Sequence, residues 1–348
     1  MKVELHSPTI RRKEMDAVLT AMVEDKIGPG EQSRFLIQVA KEKLGFDYCL
    51  ALRSPAYALH LALKALEMDE KKGVLVSALS PLYYDIVIKD LGLTPVYCDV
   101  HPSTTLMSRE TVEKAISLKP GDLNIRCVVL HHTLGYSCDP SALAELGFPL
   151  IIDSSQSYAP LETGNISENS GDNNPGLFSI LGLEERDMLT SGGGALLYAL
   201  NRRNSAVLRN TAKLPPEYGL PDMNASMAIV QFREAAKNLA KRREIARLYS
   251  QAALRTRHKQ FVENTEYNNY AFPLILESGM KDVKAYAKKK DVSVESAFEN
   301  TLIGSELVPQ GQCPEAYSLS LRTVLFPIYP RLSMAAAGKV AKLILTLP

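Results

Sequence analysis

Seven polar residues of this 348-residue chain, Ser54, Ser80, Asp99, His131, His132, Asp153 and Gln156, stand just after short apolar runs. Between them they offer hydroxyls, carboxylates, imidazoles and a carboxamide, the groups that hold anions and move protons. Asp153 closes the run LIID, and Gln156 follows three residues later. A carboxylate there can hold a protonated ligand group, although an Asp followed by Ser-Ser also serves as a plain turn or helix cap. Adjacent residues of an extended strand point to opposite faces, so His131 and His132 cannot chelate one ion together. One of them in a crevice can act as acid or base, or simply pack and hydrogen-bond. Ser54-Pro55 reads as a helix start, a capping hydroxyl with proline at the first helical position. The five cysteines, Cys49, Cys98, Cys127, Cys138 and Cys313, form no C-x-x-C pair, and neither a disulfide framework nor a metal site is indicated.

The elements that must position these groups follow from an alternation. Tyr48–Leu52, Val74–Leu79, Pro95–Cys98, Cys127–His131 and Leu150–Asp153 are apolar on both faces, as strands of a buried parallel sheet are, and amphipathic stretches separate them. Helices are expected over Ala56–Leu66 and Arg109–Leu118, the second opened by Ser108. Ligands bind outside the carboxyl ends of such strands, where the seven residues fall. Leu161–Pro175 is rich in Asn, Ser and Gly and reads as a surface loop. Further strands are expected over Gly176–Leu181 and Gly194–Tyr198. A long helix, Asp222–Leu254, is expected to bridge two domains. Beyond it, a strand at Tyr270–Leu276 and helices at Val283–Lys290 and Met334–Leu347 suit a small α+β domain. The division expected is residues 1–240 for the large α/β domain, with an N-terminal arm, and 241–348 for the small one.

Composition narrows the function. Hydrophobic residues make up 46% and charged residues 23%, and 40 Lys and Arg face 39 Asp and Glu, a net charge of +1. Such a balance suits a soluble globular chain and gives no basic excess for nucleic acid or an anionic membrane. The first twenty residues mix charges throughout, with no signal-type apolar core, and no run approaches a membrane span, so a cytoplasmic protein is expected. Arg11–Lys13, Lys241–Arg243 and Lys288–Lys290 are expected to be solvated helix faces. Asn165-Ile166-Ser167 fits a glycosylation acceptor but has no consequence without secretion.

Read in order, GLTPVYCDVHPSTTLM, HHTLGYSCDP, IIDSSQSYA, PDMNASMAIVQFREAAKNLAKRREIARLY and CPEAYSLSLRTVLFPIYPRLS resemble the DegT-type sugar aminotransferases, a family of the pyridoxal-phosphate-dependent fold-type I superfamily. The resemblance covers nearly the whole chain. It implies a large domain with a mainly parallel sheet plus a small C-terminal α+β domain, a homodimer, and cofactor contacts from Asp153 to the ring nitrogen, Gln156 near the ring hydroxyl, and Ser179 and Ser54 at the phosphate. His132 falls in the family's His-x-x-Gly turn, where it can act as acid or base, as in related sugar dehydratases that carry histidine in place of the lysine. Pro81 stands where the family stacks an aromatic ring, with Tyr83 or Tyr84 as substitutes.

The same resemblance exposes a departure. The family lysine lies between a Ser-Phe strand and a Gly-Glu-Gly-Gly turn; here the stretch reads FSILGLEERDMLTSGGGAL. Counting back from the turn gives Arg186 and counting forward from Ser179 gives Glu184, with Gly192 at the turn's glutamate. No lysine occurs over residues 120–212, 93 in succession. A guanidinium stays protonated and has no free lone pair for an aldehyde. Pro55 and Ala56 also remove two phosphate donors from the helix start, because proline has no N–H. The expectation is a non-transaminating relative that binds a nucleotide-sugar or another small phosphorylated ligand. The alternative is an enzyme holding pyridoxal or pyridoxamine phosphate noncovalently, or on a relocated lysine such as Lys213, acting on keto-sugar nucleotides. A third is a structural subunit that pairs with an active paralogue.

Overall fold

The computed structural model describes residues 2–159, 176–211, 213–261, 266–277 and 279–348. The expected loop Leu161–Pro175, with its glycosylation-type tripeptide, lies outside them. Strands β1 (Tyr48–Leu52), β2 (Gly73–Ser77), β3 (Thr94–Cys98), β4 (Ile125–His131), β5 (Tyr136–Ser137), β6 (Leu150–Asp153), β7 (Gly176–Gly182) and β8 (Ala195–Ala199) form in that order. All but β5 join one seven-stranded sheet, ordered β1-β8-β7-β6-β4-β2-β3. Neighbours from β7 to β3 run parallel, and β8 is antiparallel to both β1 and β7. The Val, Leu and Ile of β2 and β6 are buried throughout, as a sheet covered on both faces requires.

Helices α1 (Arg12–Val23) and α2 (Glu31–Leu44) precede the sheet; α3 (Pro55–Lys64), α4 (Tyr83–Asp90), α5 (Arg109–Leu118), α6 (Ser141–Ala144) and α7 (Arg202–Thr211) lie between or after its strands. Helix α8 (Asp222–Ala253) is the long one. Its first half sends Ile229, Phe232 and Ala235 into a core shared with α2 and β8. Its second half sends Ile245, Ala246 and Tyr249 into a separate core. That second core covers a three-stranded antiparallel sheet built from β10 (Phe272–Ile275), β11 (Glu295–Ser296) and β12 (Thr323–Phe326), and includes helices α9 (Met280–Lys289) and α11 (Met334–Leu345). The short β9 (Glu266–Tyr267) pairs with β5, and α10 (Pro314–Arg322) leads into β12.

Several segments cross between the cores, Ile275 of β10 and Ala316 and Leu319 of α10 among them. Val3 pairs with Val292 and buries itself in the C-terminal core, so the N-terminal arm crosses to the small unit. Phe298 and Leu302 pack instead with the large core. The strand expected over Tyr270–Leu276 is trimmed to Phe272–Ile275. Asn269 has φ +60°, and the Asn269 and Tyr270 carbonyls turn out of the ladder toward Arg242.

Candidate active site

The carboxyl ends of β4, β6 and β7 lie side by side, with His131 paired to Asp153 and Asp153 to Ile180. Asp153 is buried, 1% exposed, and ringed by donors. Its Oδ2 accepts from the Tyr84 hydroxyl at 2.6 Å and the Tyr83 hydroxyl at 3.2 Å; its Oδ1 accepts from the Ser155 N–H at 3.0 Å and the Ser155 hydroxyl at 2.5 Å. His131 Nδ1 stands 3.6 Å from Oδ2 and has no hydrogen-bond partner. Burial opposes ionisation, but His131 and the Ser155 and Tyr84 hydroxyls outweigh it and hold the carboxyl well below the usual carboxylate range. Asp153 is thus an anion near neutral pH, and the Ser155 contacts give it a turn-capping role as well.

Tyr83 and Tyr84 reach it because α4 begins at Tyr83, close to the strand end. Sequence reasoning offered them as stacking residues; the structure places both phenols on the carboxylate. Burial and the Asp153 charge push both hydroxyls well above the ordinary phenol range, so they remain donors. Their rings meet edge-on, with centroids 5.0 Å apart.

The segment after β7 arranges the positions expected to replace the lysine. Arg186 points outward to Glu295, 3.1 Å away. Glu184 turns toward the glycine turn, its Oε1 3.5 Å from the Gly194 N–H. The side chain of this segment that sequence reasoning missed is Asp187, half-buried, whose Oδ2 accepts from the Glu184 N–H at 2.8 Å. A Cβ on Gly182 would collide with Asp187 Oδ2 and Ser155 Oγ, which fixes Asp187 at the end of β7 beside the Asp153 network. Burial, then the Asp153 and Glu184 charges, raise its carboxyl to about 7 against the Glu184 N–H bond. Gly192, Gly193 and Gly194 all have positive φ, which explains three glycines where the chain turns back into β8.

The remaining positions serve mostly local ends. Ser54 caps α3, accepting the Tyr57 N–H at 3.2 Å, with Pro55 at the first helical position. Gln156 Oε1 accepts the Leu134 N–H at 2.7 Å, tying it to the turn after His132. His132 Nδ1 lies 2.7 Å from the Ser157 hydroxyl, and its Nε2 has no partner. Burial and then the neighbouring His131 push His132 down to about 4, so its ring is neutral near pH 7. Ser179 is buried on β7 opposite Tyr198. Asp99 caps α10 through the Glu315 and Ala316 N–H groups at 3.0 and 2.8 Å. Ser80 is buried, with its hydroxyl unpartnered. Lys213 is exposed beyond α7.

One expectation fails outright. Lys241–Arg243 is not a uniformly solvated face, for Arg242 is 6% exposed, on the side of α8 that meets the C-terminal unit. Its neighbours Lys241 and Arg243 flank that side, and run-counting along the sequence cannot separate them. Arg12, Lys13 and Lys288–Lys290 are exposed as expected, with Arg11 half-buried.

A mainly parallel sheet with its polar residues at the carboxyl strand ends, joined to a small antiparallel unit by one long helix, defines the fold-type I architecture of pyridoxal-phosphate-dependent transferases. The chain belongs to the DegT/DnrJ/EryC1/StrS aminotransferase family, whose profile matches residues 8–179 and 201–345. The unmatched 180–200 hold Glu184, Arg186, Asp187 and the glycine turn. The chain is 23% identical over 380 residues to the dTDP-4-dehydro-2,3,6-trideoxy-D-glucose 4-aminotransferase of Saccharopolyspora spinosa, covering 97% of this chain and 95% of that one. Among solved structures it is similar to an E. coli GDP-4-keto-6-deoxy-D-mannose-3-dehydratase with bound hydrated PLP, at TM-score 0.83 and 13% identity over 99% of each chain. It is also similar to a mutant GDP-4-keto-6-deoxymannose-3-dehydratase with bound GDP-perosamine, at TM-score 0.82 and 13% identity, covering 98% of this chain and all of that one. Structural neighbours thus carry the cofactor and a nucleotide-sugar. Among the described residues no helix is long and apolar enough to cross a membrane.

Proposed function

We propose that this chain is a DegT-family pseudoenzyme, which binds a nucleotide-sugar in the Asp153 cleft without transaminating it. One observation carries the reading: after β7 the segment sets a carboxylate, Asp187, beside the Asp153 network, while Arg186 turns out to Glu295. No lysine lies anywhere in residues 120–212. The residues present do not fit a lysine-held pyridoxal phosphate. Both oxygens of Asp153 are already taken, Oδ2 by two phenols and Oδ1 by Ser155, and Ser54 caps its own helix instead of leaving that end to a phosphate. No step is therefore routed through that group.

A nucleotide-sugar suits the polar, half-buried rim that Tyr83 and Asp187 give the cleft, and a structural neighbour holds GDP-perosamine. Two measurements test the reading. Incubation with pyridoxal phosphate, borohydride reduction and peptide mass mapping should give no stoichiometric adduct at a cleft residue; such an adduct would end the proposal. Titration calorimetry with GDP-perosamine and dTDP-sugars should give saturable binding that Asp187→Ala weakens, whereas no heat with any nucleotide-sugar removes the ligand half.

A second reading keeps the chain an enzyme that uses pyridoxal or pyridoxamine phosphate noncovalently or on Lys213. It is favoured by an Asp153 held ionised and by the dehydratase neighbour with hydrated PLP. His132, neutral near pH 7, is then the candidate base. Cofactor retained through gel filtration, and lost in Asp153→Asn, supports this reading over the first.

We further take residues 1–240 and 241–348 as the two domains. Exposed Met15, Leu19 and Val23 on α1 support a homodimer, and five free cysteines suit the reducing cytoplasm.

A further inference from the structure

Arg242 is a buried cation with no carboxylate beside it among the described residues. Its Nη1 donates to the Tyr270 carbonyl at 2.7 Å, the Ile328 carbonyl at 2.8 Å and, more weakly, the Asn269 carbonyl at 3.4 Å. Its Nε and Nη2 have no partner among the described residues. A guanidinium carries five N–H donors in a fixed fork, so this one has its Nε–Nη2 edge to spare. Burial lowers its pKa only to about 10, which leaves it charged at neutral pH. Neither Nε nor Nη2 is among the fully buried atoms left without a partner, so this edge of the guanidinium reaches open space.

Arg242 lines a cavity of about 60 Å³ together with His6, Arg186, Tyr270, Leu5 and Phe326. Three of these six side chains carry or can take positive charge and none is acidic, Arg186 also pairing with Glu295 at 3.1 Å through Nη1. The arm that supplies Leu5 and His6 is anchored by the Val3 N–H to the Asp291 carbonyl and the Ser293 N–H to the Val3 carbonyl. His6 is steered by a 3.0 Å contact of Nε2 with the Glu185 carbonyl. Tyr270 lines the cavity, and burial, then the Asp187 charge, push its phenol up against the opposing pull of Arg242 and Arg186.

We propose that the cavity is a binding site for one small oxyanion, a carboxylate or a phosphate, with the Nε–Nη2 edge of Arg242 as its main contact and Arg186 and His6 closing it. The planar edge matches two oxygens of either group. A volume of about 60 Å³ admits one such group and excludes a nucleoside diphosphate. The site assigns a purpose to the outward turn of Arg186. It is independent of whether the Asp153 cleft binds sugar or cofactor.

Melting temperature should rise saturably with sodium formate or with sodium phosphate, each at ionic strength held constant with chloride. Saturation with formate alone assigns a carboxylate, saturation with phosphate alone assigns a phosphate, and saturation with both assigns the shared oxyanion. Arg186→Gln and His6→Gln, which leave the Arg242 carbonyl contacts intact, should each weaken the half-saturating concentration by about tenfold, one charge-assisted hydrogen bond. Arg242→Lys, which keeps the charge but loses the fork, should abolish saturation. Asp153→Asn should leave the curves unchanged. A linear rise with both salts, or saturation unaltered in Arg186→Gln and His6→Gln alike, overturns the proposal.

Discussion

Asp153, at the end of β6, and Arg242, on the half of α8 that joins the C-terminal core, are two buried charges of opposite sign, and the protein treats them differently. Asp153 receives four donors, two phenols and both polar hydrogens of Ser155, so each oxygen is satisfied by the chain itself. Arg242 uses one nitrogen against three carbonyls, leaves its other edge without a partner among the described residues, and lines a cavity. A saturated charge can be a fixture of the fold, since its desolvation is offset locally. An unsaturated one keeps capacity for something that arrives from outside. The residue that resemblance marks for the cofactor is therefore the self-contained one, and the residue that looks like surface is the one with binding capacity to spare.

The largest effect should come from removing the unsaturated charge. Arg242→Met strands the Asn269, Tyr270 and Ile328 carbonyls at the junction of α8 with the C-terminal unit, and urea unfolding should show a loss of about 4 kcal/mol. A loss below about 1 kcal/mol would mean that water takes over those carbonyls, and the contrast with Asp153 would lose its energetic meaning.

The groups bordering Asp153 provide a pH test. The His132 pKa falls to about 4 in the fold, so its neutral ring favours folding at high pH, and that support is lost as pH drops from about 6.5 to 4. Asp187 rises to about 7, so its protonated form favours folding at low pH, and that support is lost as pH climbs from about 4 to 7. The slopes oppose one another across the same window, and the wild type should be nearly level there. His132→Gln should uncover a fall of about 2 kcal/mol from pH 4.5 to 7, Asp187 being discounted for its partial exposure. Asp187→Asn should uncover a rise of about 3 kcal/mol. Urea midpoints at the two pH values decide this, and parallel profiles in both variants would remove Asp187 from the cleft.

Tyr84→Phe takes the shorter of the two phenol bonds from Asp153. The carboxylate keeps Tyr83 and Ser155, so the expected cost is about 2 kcal/mol, with stability lost at a higher pH on the acid side because the carboxyl protonates more readily. Tyr83→Phe should cost less, its bond being longer and nearer solvent. Equal costs for the two would mean that Asp153 is not saturated and that its donors are interchangeable.

The sequence is most legible where local chemistry and tertiary need coincide. Leu150–Asp153 emerges with its expected bounds because an apolar run ending in Asp admits one reading, and Ser54-Pro55 starts its helix where capping rules place it. The Asp153 donors are not legible, since they depend on α4 beginning at Tyr83 close to a strand end distant in sequence. Asp187 is hidden by an inserted stretch, in which Glu184 and Arg186 each match one flank of the family pattern while the residue beside them turns inward. Arg242 sits in a basic run whose three members face different ways, and only the packing of α8 tells them apart.

The weakest expected effect concerns a third kind of charge, the partial positive end of α3. Ser54 accepts the Tyr57 N–H at 3.2 Å and Pro55 has no N–H to offer, so this helix end resembles Asp153 in being closed by the chain itself. Ser54→Ala should cost about 1 kcal/mol, the usual worth of a capping hydroxyl. Ser54→Asp, which keeps an acceptor and adds a charge favourable to the helix end, should restore it. If phosphate stabilises Ser54→Ala more than wild type, the hydroxyl has been standing in for an anion, and the end of α3 belongs with Arg242 among the groups that still await a ligand.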